Sequence, residues 1–354
     1  MTTKGNRTRA GRVRVSSEQQ NPLDGVDLLL ADLDGVIYRG AEAIAHAVES
    51  VNRVAEHIPV AYVTNNASRT DASVAEHLSQ LGLDVKPTDV VTSPQAAVRL
   101  LAGLVPAGST VLAVGGEGLT FELVKAGFVP TASAFDNPAA VIQGFATTVG
   151  WEQLAEASFA LHSEVEGGGI PWVATNTDWT IPVARGIAPG NGTLVSAVHS
   201  AVGRLPVVAG KPEVAIYQEA LRRFGAENAL FIGDRLDTDI LGSNRAGITS
   251  VFVLTGVDGA KQLLAADSQS RPTFILEDLR QLHEPYPQTI RSEDGRVAVG
   301  GSAVRIRENR VELEVAGERI DLIRATAAAI WASGLAIYGI DFAPDLMDAL
   351  GIAR

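Results

Sequence analysis

Short apolar runs that stop abruptly at a polar residue, each followed by a stretch of helical spacing, recur along this chain and leave few folds open to it. Leu28-Leu29-Leu30-Ala31 ends at Asp32, after which Ala45, Val48, Val51 and Val54 share one helical face. Ile58 to Val63 reads as the next strand and stops at Thr64-Asn65-Asn66-Ala67-Ser68; Asp71 to Leu81 then has helical spacing and ends at Gly82. Val111 to Val114, the turn Gly115-Gly116-Glu117-Gly118 and the run Phe121 to Ala126 repeat the theme. This alternation predicts an α/β protein built on a largely parallel, Rossmann-like sheet.

The alternation breaks between Gly167 and Gly192, around ATNTDWTIPVARGIAPGNG, a Gly- and Pro-rich stretch that reads as a long functional loop. It resumes with Val207-Val208, Lys211-Pro212, a helix whose Val214, Tyr217, Leu221 and Phe224 share a face, and the strand Ala229 to Ile232. Ser250 to Leu254 reads as the last strand of the set. Beyond residue 283, Val304/Ile306 and Val311/Leu313/Val315 alternate with charged residues as in a half-exposed hairpin, and an Ala-rich helix pattern starts at Arg324. For 354 residues, two or three domains are expected. The expected division is a basic, disordered tail over 1–22, a core made from 23–100 and 206–282, an inserted α/β unit over 101–205 and an α+β extension over 283–354.

Composition narrows the function. Lys and Arg number 29 against 41 Asp and Glu, a formal charge of −12 that speaks against nucleic acid as a partner. Cysteine is absent, which removes disulfides, a thiolate nucleophile and cysteine-bound zinc. The longest uncharged stretches, Leu100 to Gly116 and Ala325 to Ile340, fall short of a membrane span, and the N-terminal arginines lack the apolar core of a secretion signal. A cytoplasmic protein is expected. The histidines are scattered without metal-binding spacing, and the GGEG turn lacks the GK[ST] of a P-loop.

In an open parallel sheet, ligands gather at the carboxyl ends of the strands. Four polar groups follow predicted strands: Asp32-Leu33-Asp34-Gly35, Thr64-Asn65-Asn66, Lys211-Pro212, and Gly233-Asp234 with Asp237 and Asp239. Each alone reads as a cap, a turn or a surface residue. Together they supply a carboxylate nucleophile, a hydroxyl with backbone amides, a fixed cation and metal-binding carboxylates, the set required for phosphoryl transfer through an aspartyl phosphate. Asp32 and Asp234 would share a hard divalent cation, most simply Mg²⁺. Lys211 would offset the remaining charge, Thr64 and the amides near Asn65 would hold phosphate oxygens, and Asp34 would act as acid and then base.

LLADLDGVIYRG, VTNNAS, VVAGKP and FIGDRLDTDI resemble the four ordered motifs of the haloacid dehalogenase superfamily, specifically phosphatases with a large α/β cap between the second and third motifs. The resemblance covers roughly residues 26 to 260. It implies Asp32 as nucleophile, Asp34 as acid/base, Thr64, Asn65 and Asn66 as phosphate ligands and Lys211 as charge anchor. It also implies Mg²⁺ held by Asp32, Asp234 and the Asp34 carbonyl, with Asp239 orienting bound water or Lys211.

The interrupted segment is similar to the cap loop of phosphoglycolate and pyridoxal phosphate phosphatases, which places Asp178, Trp179, Thr180 and Ile181 in a substrate-specificity loop. In the pyridoxal phosphate enzymes a histidine stands where Ile181 stands here, so the apolar residue leans toward a small aliphatic leaving group such as glycerol or glycolate, with sugar phosphates, nucleotides and pyridoxal phosphate as alternatives. The C-terminal unit resembles the acetyltransferase-like extension of some actinobacterial members but lacks their Q/R-x-x-G-x-G/A loop, which favours a packing or homodimer-forming role. The expected function is a Mg²⁺-dependent phosphomonoesterase acting on a small phosphorylated metabolite. A phosphoacceptor switch and a non-catalytic metabolite sensor are the rivals, and Asp34 counts against the switch, which has no use for a general acid.

Overall fold

The computed structural model describes residues 21–162, 169–183 and 185–352, so Met1 to Gln20 of the predicted tail lie outside the described residues. The chain opens with β1 (Leu28–Ala31), a two-residue hairpin β2 (Tyr38–Arg39) and β3 (Glu42–Ala43), and α1 (Ala47–Ala55). α1 buries Ala47, Ser50, Val51 and Val54, one stripe at helical spacing. Then come β4 (Val60–Thr64), α2 (Asp71–Gln80), β5 (Val90–Thr92) and α3 (Ser93–Leu101). The Thr70 side chain caps α2 by accepting from Ser73 N–H, and Thr92 with Gln95 forms a reciprocal capping box on α3.

A second unit follows: β6 (Thr110–Val114), α4 (Glu117–Lys125), β7 (Val129–Thr131), β8 (Ala140–Gln143), α5 (Trp151–Leu161), β9 (Trp172–Ala174), β10 (Thr180–Val183), β11 (Gly186–Pro189), α6 (Asn191–Val202) and β12 (Val207–Val208). Its sheet is parallel in the order β12-β9-β8-β6-β7. Two expectations change here. The stretch expected to be a long loop contains the antiparallel hairpin β10/β11, in which Ile181 pairs with Ala188. Val207-Val208, expected in the core, pairs with Val173 and Ala174 of this second sheet instead. Ala209 N–H still donates to Ala174 O of the second sheet (3.0 Å), and the chain meets the first unit at Lys211, whose N–H donates to Asn65 Oδ1 (2.8 Å).

The first sheet is completed by α7 (Val214–Phe224), β13 (Ala229–Gly233), α8 (Leu241–Arg245), β14 (Thr249–Val253), α9 (Ala260–Leu264) and β15 (Phe274–Leu276). α7 stops at Gly225, whose φ of 66° is the left-handed conformation glycine adopts without a Cβ penalty. All six strands are parallel, in the order β15-β14-β13-β1-β4-β5. β14 is therefore not the last of the set, as expected from sequence. β15 is three residues long, too short to show a period. β1 lies between β13 and β4, where the strand order reverses, so the crevice at its carboxyl end is the natural ligand site.

Leu28, Leu30, Val63 and Phe231 of the first sheet share one apolar cluster with α3, with Leu119 and Leu123 of α4, and with Ile142 and Val173 of the second sheet. That continuity holds the second unit over the first. The C-terminal residues add β16 (Thr289–Arg291), β17 (Arg296–Val299), β18 (Ser302–Arg307), β19 (Arg310–Val315), α10 (Arg319–Ser333), β20 (Asp341–Phe342) and α11 (Pro344–Leu350). The expected hairpin is β18/β19, inside a sheet of five strands; α10 begins five residues before the predicted Arg324. Arg324 itself is buried, its guanidinium donating to Ile275 O (2.9 Å), Asp321 Oδ1 (2.9 Å) and Gln281 Oε1 (3.2 Å). Charged residues inside α10 hid its first turns from a search for apolar spacing. No helix among the described residues is long and apolar enough to cross a membrane.

Candidate active site

Asp32 leaves β1 at its carboxyl end, Thr64 closes β4, and Asp234 follows β13, so adjacent parallel strands deliver all three to one crevice. Lys211 arrives from the second sheet. Its ammonium is buried and lies 2.6 Å from Asp32 Oδ1 and 2.7 Å from Asp239 Oδ1. Carboxylate oxygens of Asp32, Asp234 and Asp239 all lie within 4.8 Å of one another, the spacing of groups able to share one cation.

Each acid is held by its local backbone. Asp239 Oδ2 accepts from the N–H groups of Asp234 (3.2 Å) and Arg235 (3.1 Å), which closes the chain into a tight turn. Asp234 Oδ2 accepts from Val257 N–H (2.7 Å) and packs against Gly35 and Gly256, where a Cβ on either glycine would overlap the carboxylate. Asp234 Oδ1 is buried and has no hydrogen-bond partner. An orphaned carboxylate oxygen beside two further acids fits a divalent cation.

The charges tell the same story. Burial, together with the negative charge of Asp239, raises the Asp32 carboxyl well above its ordinary range against the pull of Lys211. Asp234 is pushed up to about 7 by burial and by Asp239. Burial alone would lower the Lys211 pKa, but Asp239 and Asp32 reverse that and raise it. Three carboxylates surround one ammonium, and a divalent cation supplies the missing positive charge.

A cavity of about 280 Å³ opens in front of this cluster, and Asp32, Asp34, Thr64, Asn65, Asn66 and Lys211 line it. The second unit closes its far side with Asp178, Thr180 and Ile181. Asp34 opens onto the cavity, and its carboxyl is raised by partial withdrawal from water, opposed by Lys211 and Arg69. Thr64 Oγ1 accepts from Asn66 N–H (3.1 Å), which leaves the hydroxyl hydrogen free to donate. Asn66 spends its side-chain oxygen on Ser68 N–H and Oγ and is exposed.

Trp179, in the same loop, is two-thirds exposed and outside the cavity lining, while its carbonyl accepts from Gly190 N–H and Thr193 Oγ1. Among the lining residues to which the sequence assigned no role are Arg235, Asn176 and Asn191. Arg235 directly follows Asp234, and its guanidinium pairs with the exposed Asp237 (2.9 Å). Asn176 stands two residues beyond β9, so the strand-end rule used for the first sheet would have found it in the second.

Among sequence families, the haloacid dehalogenase-like hydrolases match residues 29–129, and a HAD-hydrolase-like family matches residues 208–282. The D-glycerol 3-phosphate phosphatase of Mycobacterium tuberculosis is 43% identical over 309 residues, 86% of each chain. The acid sugar phosphatase of Staphylococcus haemolyticus is 35% identical over 253 residues, 71% of this chain and 92% of that one. Among solved structures, a glycerol phosphate phosphatase from Mycobacterium tuberculosis in complex with magnesium superposes with a TM-score of 0.80 at 38% identity, over 94% of this chain and 98% of that one. A p-nitrophenyl phosphatase from Archaeoglobus fulgidus gives 0.66 at 28% identity, over 73% and 98%.

Proposed function

Because the chain belongs to the haloacid dehalogenase-like hydrolases and is a phosphoric monoester hydrolase, we propose that it is a Mg²⁺-dependent phosphatase of a small polyol phosphate, glycerol 3-phosphate first among them. The observation that carries this reading is the single buried ammonium of Lys211 between Asp32 and Asp239, with Asp234 beside them. Asp32, Asp234 and the Asp34 main chain would hold the cation, which neutralises acid and phosphate so that they can approach.

Asp32 attacks phosphorus; a bond forms between its carboxylate oxygen and phosphorus as the ester P–O bond breaks. Asp34, on the cavity side, gives its proton to the departing alkoxide, a role suited to its raised pKa. It then takes a proton from the water that cleaves the aspartyl phosphate, releasing phosphate and restoring Asp32. Throughout, Lys211 keeps its charge beside the transferring group, and the Thr64 hydroxyl donates to a phosphate oxygen.

The outer cavity favours a neutral leaving group. Asp34 and Asp178 face it, and the nearby cation Arg235 is already paired with Asp237. Glycerol adds no charge there, whereas glycolate adds a carboxylate. The Ile181 side of the cavity offers apolar contact to a short carbon chain. The C-terminal unit serves as a packing element, since α10 and β17 to β19 share an apolar cluster with Phe252, Leu263 and Ile275 of the core. We place the enzyme in the cytoplasm, where small phosphate esters are made and held.

The decisive experiment is hydrolysis of p-nitrophenyl phosphate with Mg²⁺ and with EDTA, comparing wild type with Asp32→Asn. Activity that survives chelation or the substitution would refute the mechanism. Glycerol 3-phosphate, phosphoglycolate, a sugar phosphate, a mononucleotide and pyridoxal phosphate then rank the substrates, with the first expected to show the highest kcat/KM.

A further inference from the structure

The Asn65 carboxamide is fully committed. Its Oδ1 accepts from Lys211 N–H (2.8 Å), while Nδ2 donates to Lys211 O (3.1 Å) and to Asp178 Oδ1 (3.1 Å). With two hydrogens and two acceptors, no side-chain donor remains for a phosphate, so any contact Asn65 makes with substrate falls to its main chain.

The loop of the second unit grips the same residue twice. The Asn65 carbonyl accepts from Asn176 Nδ2 (2.7 Å), and Asn176 Oδ1 accepts from Asp178 N–H (3.2 Å), so Asn176 and Asp178 close on Asn65 as a pair. Asn191 Nδ2 donates to Asn176 O (2.7 Å) and fixes that loop to the first turn of α6. On the other side, Ser93 Oγ donates to the Asn65 carbonyl (2.7 Å). The Lys211 peptide reaches Asn65 because Gly210 precedes it: a Cβ there would stand 2.6 Å from Asn65 Oδ1 and 2.5 Å from Thr175 O.

We propose that Asn65 is a positioning residue through which the docked Asn176–Asp178 loop sets the placement of Lys211, an inference that rests on the reading of Lys211 as the cation that screens Asp32. A half-buried carboxylate beside a phosphate pocket repels the substrate, a cost that a surface built only to read a leaving group would avoid. Asp178 is explained if its oxygen holds Asn65, and Asn65 holds both main-chain polar groups of Lys211. The lysine stem is long and flexible, so anchoring its peptide is what keeps the ammonium within hydrogen-bond distance of two carboxylates. Small misplacements of such a group are expensive in rate.

Steady-state kinetics on two esters with unlike leaving groups, p-nitrophenyl phosphate and glycerol 3-phosphate, separate this role from leaving-group recognition. Asp178→Ala is expected to lower kcat about tenfold, by the same factor on both, with the loss of one hydrogen bond as its scale. Asp178→Asn keeps an oxygen that accepts from Asn65 and is expected to recover kcat to within about threefold of wild type. Gly210→Ala is expected to show the same substrate-independent loss. Melting temperatures of the variants identify any that fail to fold, in which case the Asp178→Asn comparison stands alone. A loss confined to KM for one ester, or an Asp178→Asn protein as impaired as Asp178→Ala, would overturn the proposal. Lys211→Met, assayed alongside, isolates the premise: retained activity there would overturn the reading of Lys211 instead.

Discussion

The Lys211 ammonium stands 2.7 Å from Asp239 Oδ1 and 2.6 Å from Asp32 Oδ1, bridging two acids that would otherwise repel each other. Lys211→Met leaves these acids without their cation. Activity is expected to fall at least about a thousandfold, and the metal-free protein to lose roughly 3–5 kcal/mol of stability, the cost of breaking a buried ion pair from one side. Urea unfolding in EDTA measures the second effect, and addition of Mg²⁺ should restore part of it.

Gly256 gives Asp234 its place, and a methyl group there would overlap the carboxylate. Gly256→Ala should therefore weaken Mg²⁺ binding about tenfold or more while leaving the sheet intact. Calorimetric titration of Mg²⁺ into wild type and variant checks this; equal affinities would remove Asp234 from the ligand set.

The pKa of Asp234, about 7, sits above its unfolded value near 3.8. A raised acid binds its proton more tightly when folded, so its contribution to stability is full at low pH and declines as pH rises through the interval between those values. The metal-free protein should lose stability across that interval, and Mg²⁺, which competes with the same proton, should stabilise more at pH 8 than at pH 5.5. Thermal melts with EDTA and with Mg²⁺ at both pH values test the sign. A larger Mg²⁺ effect at pH 5.5 would contradict it.

Ile181 lines the cavity from β10. Ile181→His replaces apolar contact with a polar ring and should lower kcat/KM for glycerol 3-phosphate several-fold while sparing p-nitrophenyl phosphate, a separation read from parallel kinetics on the two esters. Equal effects on both would reduce Ile181 to packing.

Arg324 and Asp321 are buried together beneath the C-terminal sheet, 2.9 Å apart. Arg324→Met strands the Asp321 carboxylate and the Ile275 carbonyl, and about 3–5 kcal/mol of stability should be lost, measured by denaturant unfolding. Asp321→Asn with Arg324→Met should recover part of that loss, since the stranded charge is gone.

The polar cluster was legible because its members sit at strand ends, where an apolar run stops at an acid, a hydroxyl or a lysine within a few residues. Asp32, Thr64, Lys211 and Asp234 all follow that rule, and they converge. What escaped was encoded differently. β5 and β15 are three residues each, too short for a strand's two-residue period to repeat. Val207-Val208 reads as a strand in either sheet, and its partner is set by packing that no local pattern records. Asn65 was visible as a polar residue after a strand, but its commitment to Lys211 and Asp178 depends on residues 146 and 113 positions away. Trp179 stands in the expected specificity loop, but its exposure is set by packing that no local pattern records.

The Arg324 guanidinium reaches the Ile275 carbonyl on β15, the outermost strand of the first sheet. A chain ending before β16 would hand that carbonyl to solvent, together with the apolar flank of Phe252, Leu263 and Ile275 that α10 now covers. Sheet borders left bare in this way invite self-pairing between molecules. The appended unit thus acts as a seal on a margin remote from the chemistry, and removing it should register as clumping in solution before any change in turnover is seen.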